Sequence, residues 1–302
     1  MRSDARQGSG AAAGRLLATG ALLLAAAGSA WAQAPQGADA VGEVGDLGFS
    51  YFVGLAGQTV RYREDSSLLP VRSRASTTSP LIITGALYAI NRDLLFSLGS
   101  EITFAPSSTT ETWTATSTQF NGKTLTDPVV QRNGFSFTQS TTQLTALYRV
   151  SGEWFVTAGP ELHTQTFKRY SFSQGTDKAV ALPTDKTVEE STNEIMANLG
   201  VALESGRVRG QKLHYGARAV VGLPIWSRTQ NTEWPGVTFH SGSGFDLSLE
   251  GRASYAIWDN IHAGLWAKLL NSERHRTQTG DLELPQNRLT TTSYGLELLW
   301  KL

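Results

Sequence analysis

The chain has 302 residues, with 26 basic and 26 acidic side chains and no cysteine. That balance excludes a nucleic-acid partner, which needs a basic surface, and the missing thiols exclude a disulfide framework or a lipidated cysteine anchor. Beyond residue 32 no apolar run is long enough for a transmembrane helix, so a membrane reading must rest on strands.

In chain order, Arg2, Arg6 and Arg15 precede an apolar run over 16–27 and the small-residue site Ala30-Trp31-Ala32. This pattern predicts a signal peptide over 1–32, cleaved before Gln33. Its removal takes away three arginines and one aspartate, leaving 23 basic and 25 acidic residues, a net charge of −2. Residues 33–45 are rich in Gly, Ala and Pro and read as a disordered periplasmic leader, followed by one β domain over 46–302.

Period-two alternation then marks a series of strands. Leu47, Phe49, Tyr51, Val53 and Leu55 form the apolar face of the first, which dissolves into a polar loop after Gln58. A second runs over 80–90, less cleanly phased, to the turn Asn91-Arg92-Asp93. Leu94, Phe96, Leu98, Ile102 and Phe104 face one way in the third, with Gly99 and Glu101 opposite. A Thr-rich excursion follows, with Asn121-Gly122 as a hairpin signal. The fourth strand returns through Leu144, Ala146, Tyr148 and Val150, and the fifth leaves with Trp154, Val156, Ala158, Pro160 and Leu162. Pro160 predicts a bulge or weak pairing. Ile195 to Leu203, Leu213 to Leu223, Phe245 to Ile257 and Ile261 to Leu269 carry the next four. The last has Tyr294, Leu296, Leu298 and Trp300 on one face, with Gly295, Glu297, Leu299 and Lys301 on the other.

The total is ten strands, with eight or twelve as alternatives, joined by four short turns and five long loops near 57–79, 105–134, 167–192, 227–244 and 271–288. Aromatics at the short-turn ends, including Phe49, Tyr51, Tyr88, Tyr148, Trp154, Tyr215, Tyr255, Trp258 and Trp300, predict an interfacial girdle. A Gly-x-Glu-Ile/Leu repeat at Gly99, Gly159 and Gly295 reads as a glycine making room for neighbouring long side chains. A soluble β-sandwich also alternates, but gives no reason for turn lengths to alternate short and long.

The closing stretch, polar-x-Gly-x-x-apolar-x-aromatic over 293–300, resembles the assembly signal of bacterial outer-membrane β-barrels, with Gly295, Leu298 and Trp300 in the marked positions. It departs from that pattern because Lys301 and Leu302 follow the aromatic. The resemblance implies an all-β, transmembrane antiparallel up-and-down barrel in the outer membrane, with both termini periplasmic and long loops outside. Its implied partners are outer-membrane lipids including lipopolysaccharide and the barrel assembly machinery.

The inward set holds Glu101, Glu161, Glu194, Glu204, Asp246, Glu250 and Glu297 against Arg218, Arg252, Lys268 and Lys301. A barrel this narrow has room for little beyond its side chains, so these predict a paired polar plug. Glu161 and His163 share a face, and with Glu194 form a weak candidate for catalysis at the extracellular rim. Strand count and length resemble the omptin proteases, but their Asp-x-Asp and Asp-x-His pairs are absent, as is the His-x-Ser of outer-membrane phospholipases and lipid A deacylases. His240, Ser241 and Ser243 form no more than a flexible loop segment, and no metal-ligand spacing or cofactor motif occurs. The reading is a non-enzymatic barrel using its loops, with Trp113, Phe120, Tyr170, Phe172 and Trp234, for surface recognition of a glycan or protein, or for envelope organisation. The alternatives are a narrow cation-preferring porin-like channel and a hydrolase using Glu161 and His163.

Overall fold

The computed structural model describes residues 48–205, 212–240 and 243–301. The expected signal peptide and leader, Leu47 of the expected first strand, residues 206–211 of the sixth-to-seventh strand turn, Ser241, Gly242 and Leu302 lie outside the described residues.

Strands β1 (Phe49–Asp65), β2 (Val71–Ala89) and β3 (Leu94–Thr103) are joined by tight turns. Strand β4 (Ser108–Ala115) continues the line of β3 beyond Pro106 and bonds to β2 and to the strand that begins at Val129. A two-residue loop, Asn121-Gly122, with φ of 48° and 71°, joins β5 (Gln119–Phe120) to β6 (Lys123–Thr124). The positive dihedrals explain the Asn-Gly pair. Then come β7 (Val129–Ser151), β8 (Trp154–Gln174), β9 (Thr187–Glu204), β10 (Leu213–Asn231) and β11 (Thr238–Phe239). The chain ends with β12 (Gly244–Trp258), β13 (Ile261–Arg274), β14 (Thr277–Thr279), β15 (Leu282–Leu284) and β16 (Gln286–Lys301).

Antiparallel pairing runs β1-β2-β3-β7-β8-β9-β10-β12-β13-β16 and returns to β1, a closed ring of ten strands among the described residues. Closure rests on an unbroken ladder from Ser50↔Lys301 to Asp65↔Gln286. Lys301 is therefore one more step of the strand. The Pro160 position leaves a gap in the ladder between Gln143↔Glu161 and Ala146↔Ala158 without a register shift, so it weakens pairing and makes no bulge.

In the half of the ring near the short turns, apolar side chains point outward: Leu55 is 63% exposed and Leu296 67%. The aromatic residues of that end lie on the same outer face, with Tyr51 and Trp300 stacked at 4.9 Å. Only an apolar solvent outside the wall makes such a surface stable, so the fold is a membrane-spanning barrel.

Toward the other end the pattern inverts. Val60 and Tyr62 are buried inside while Thr59, Arg61 and Arg63 face out. Ala75, Phe135, Phe137, Phe167 and Leu289 join them in one internal cluster, with Tyr62 and Phe167 rings 4.6 Å apart. This corrects the expected loops. Residues 57–79 are the upper parts of β1 and β2 around a short turn at 66–70, and strand also takes up more than half of the predicted loops 105–134, 167–192 and 271–288, whereas 227–244 keeps a longer irregular stretch between β10 and β12. Outside the bilayer the wall is wetted, so its apolar residues turn inward.

The glycine repeat also needs correction. A Cβ on Gly159 would lie 1.9 Å from the Leu144 carbonyl oxygen, and one on Gly295 would lie 2.3 Å from that of Leu55. Backbone, and not long side chains, crowds these positions, as expected on the inner face of a strongly curved sheet. Of the three repeat glycines, Gly99 alone faces open space.

Candidate functional site

The charged groups expected inside meet one another in layers. Nearest the short turns, His214 and His262 meet edge to face at 4.8 Å, and the Lys301 amine contacts His214 Nε2. Above them Arg252 bonds Glu250 at 2.6 Å, lies 3.9 Å from Glu297 and covers the Phe52 ring. Glu250 also accepts from Trp266 Nε1 at 3.1 Å, and Arg218 pairs with it across β10 and β12. Glu204 packs against Gly216 at the edge of this layer, and the Lys268 amine pairs with Glu101 from the opposite wall.

The next layer holds the weak catalytic candidates. Glu161 accepts from Asn198 Nδ2 at 2.8 Å. His163 is 3% exposed, with Nδ1 3.9 Å from Glu194 Oε2. Arg274, which the sequence reading had placed in a loop, donates to Glu194 at 2.7 and 2.8 Å and to Asp246 Oδ1 at 2.6 Å. Glu161, His163 and Asp246 each bring one donor atom within 4.8 Å of the others. The expected rim position of His163 is wrong, because β8 continues to Gln174 and places Phe167 and Arg169 above it.

The uppermost layer was missed altogether. Arg169 bonds Glu111 Oε2 at 2.8 Å and Glu64 Oε2 at 2.9 Å, and lies 3.8 Å from Glu190. Tyr62 donates to Glu64 at 2.5 Å, Ser73 and Asn133 donate to Glu111 at 2.8 Å, and Asn231 donates to Glu190 at 3.2 Å. These groups stand above the apolar outer belt. Burial, reinforced by Glu190 and Glu111 and opposed by Arg169, pushes the Glu64 carboxyl up to about 7. Burial likewise raises Glu190. The signal for this layer was alternation in the opposite phase, as in Phe135-Ser136-Phe137 and Phe167-Lys168-Arg169.

Three cavities among these inward side chains measure about 20 to 40 Å³, room for one or a few waters each. A far larger cleft of about 780 Å³ lies beside the upper end of β8, lined by Lys168, Tyr170, Phe172, Leu182, Pro183 and Lys186. Of the five aromatics singled out in the loops, Tyr170 and Phe172 line it. Trp113 and Phe120 pack in a separate buried cluster, and Trp234 packs on Phe239.

No protein-family model and no curated protein sequence matches the chain. Solved structures do. It is similar to the translocator domain of the autotransporter NalP from Neisseria meningitidis, at 10% identity, 96% coverage of each chain and a TM-score of 0.37. The outer membrane protein OprG from Pseudomonas aeruginosa matches at 9% identity, over 84% of this chain and 95% of that one, with a TM-score of 0.33. Neisserial surface protein A matches at 12% identity, over 82% and 95%, with a TM-score of 0.26. The class itself rests on the closed ring and its apolar belt.

Proposed function

We propose that this chain is an integral, non-enzymatic protein of the bacterial outer membrane that holds a closed barrel and works through its extracellular face. The observation that carries this is the contrast in free space. Three cavities among the inward side chains measure about 20 to 40 Å³ each, whereas the cleft at Tyr170 and Phe172 offers about 780 Å³, a size suited to a small ligand or one or two sugar residues. The paired charges from Glu101 to Lys301 act as a plug, and the Arg169 layer with its apolar cluster closes the barrel a second time. Two aromatic rings with Lys168, Lys186 and Asp185 beside them fit a polar glycan or a protein loop. Outer-membrane lipids, including lipopolysaccharide, surround the belt, and the assembly machinery reads β16 through Gly295, Leu298 and Trp300.

Two measurements on the refolded barrel test this. In planar bilayers it should give no discrete conductance, and on a glycan and surface-protein panel any binding should be lost in Tyr170→Ala and Phe172→Ala. Conductance steps that weaken in Glu161→Gln or Glu250→Gln would overturn the closed-barrel reading in favour of a cation-preferring channel.

A further inference from the structure

We propose that Glu161, His163 and Asp246 bind one divalent first-row transition-metal ion inside the barrel, with zinc as the natural occupant. Glu161 and His163 project from β8 and Asp246 from β12, with two strands of the ring between them. The wall curves far enough over those strands to bring them together, and their donor atoms lie within 4.8 Å of one another.

His163 is the group that points to a ligand. It is 3% exposed, and neither ring nitrogen has a hydrogen-bond partner. Burying an unsatisfied polar group costs about 1 to 3 kcal/mol, so the site stands incomplete as drawn by protein atoms alone. A second orphan faces the same space: Gln139 Oε1 is buried without a partner and lines the cavity that Glu161, His163 and Asp246 share. That cavity is about 20 Å³, enough for one ion or one water. An ion's bound water would supply the proton that Gln139 lacks.

Charge agrees. Glu161, Asp246 and Glu194 carry three negative charges, and the guanidinium bonded among them is Arg274. Lys268, the nearby amine, is taken by Glu101. Arg218, on the same cavity, faces Glu250 across β10 and β12, so acids outnumber bases around Glu161, His163 and Asp246 and favour a cation there. The neighbours also leave donors available: Asn198 holds Glu161 Oε2, and Arg274 holds Asp246 Oδ1. Glu194, 3.9 Å from His163 Nδ1, is placed as the outer carboxylate that orients a metal-binding imidazole. An imidazole with two carboxylates selects zinc and its row neighbours over calcium or magnesium, which prefer oxygen alone. Zinc bonds of about 2.0 to 2.2 Å set donors roughly 3.3 Å apart, so binding draws these groups in by about 1.5 Å at most.

The test uses the full chain refolded in detergent, with the exposed His240 and His275 both replaced by Ala. After zinc loading and desalting it should retain about one zinc per chain. Copper(II) in its place should show electron-spin coupling to one imidazole nitrogen. His163→Gln should lose both signals while keeping the heat-modifiable gel mobility of a folded barrel, and Glu194→Gln should weaken zinc about 10- to 100-fold. Absence of retained zinc, unchanged zinc in folded His163→Gln, or coupling to two imidazoles, which would place the ion at His214 and His262, overturns the proposal. Should His163→Gln not fold, zinc retention and the copper spectrum of the parent decide alone.

Discussion

Arg169 Nη2 donates to Glu64 Oε2 at 2.9 Å, joining residues 105 positions apart and tying β8 to β1 across the top of the lumen. Glu111 and Glu190 crowd the same guanidinium, so one cation holds three buried carboxylates. Replacing Arg169 by Met should therefore destabilise the barrel by about 3 to 5 kcal/mol. A urea midpoint of the refolded protein unchanged from wild type would contradict that role.

The same cluster makes stability depend on pH. Glu64 sits at about 7 in the fold against 4.5 unperturbed. A value raised by folding means that the protonated form favours the native state. The contribution is complete below about 4.5 and is lost as pH rises through about 7, with an upper bound of roughly 3 kcal/mol. Urea midpoints should fall across that window, and Glu64→Gln should flatten the fall.

Gly295 and Gly99 occupy equivalent places in the sequence repeat but not in space. A methyl group at Gly295 would meet the Leu55 carbonyl oxygen at 2.3 Å and Ala56 Cα at 2.6 Å, whereas one at Gly99 meets nothing within 4 Å. Gly295→Ala should lower the folded fraction in vesicles severalfold by obstructing closure of β16 on β1, and Gly99→Ala should leave it intact. Equal yields would mean that the seam is not limiting.

Phe167 packs against Tyr62, Phe135 and Phe137 with centroid separations of 4.6, 5.9 and 5.2 Å. Truncation to Ala removes the middle of this stack and should cost about 3 to 5 kcal/mol. Thermal unfolding followed by tryptophan fluorescence checks it; a change under about 1 kcal/mol would mean that the cluster is not a packed core.

The lower half of the barrel was legible because Leu55, Leu98, Leu199 and Leu265 mark an outward row that lipid alone explains. The upper half was not, since tracking one apolar face treats its disappearance after Gln58 as the end of a strand. Val60 and Tyr62 continue the period on the other face, and missing that switch hid Glu64, Arg169 and Arg274 together. The meeting of Asp246 with His163 could not be read from spacing, because it depends on which strands face each other across the closed ring.

The inversion near Gly57 also divides the molecule by solvent. Below it, the wall is steadied by the hydrocarbon around it; above it, the apolar medium is internal, in the clusters at Phe167 and Phe120. Thinning the surrounding bilayer should therefore loosen amides such as those of Leu55 and Leu296, while those of Val60 and Leu289 respond to acid and base instead.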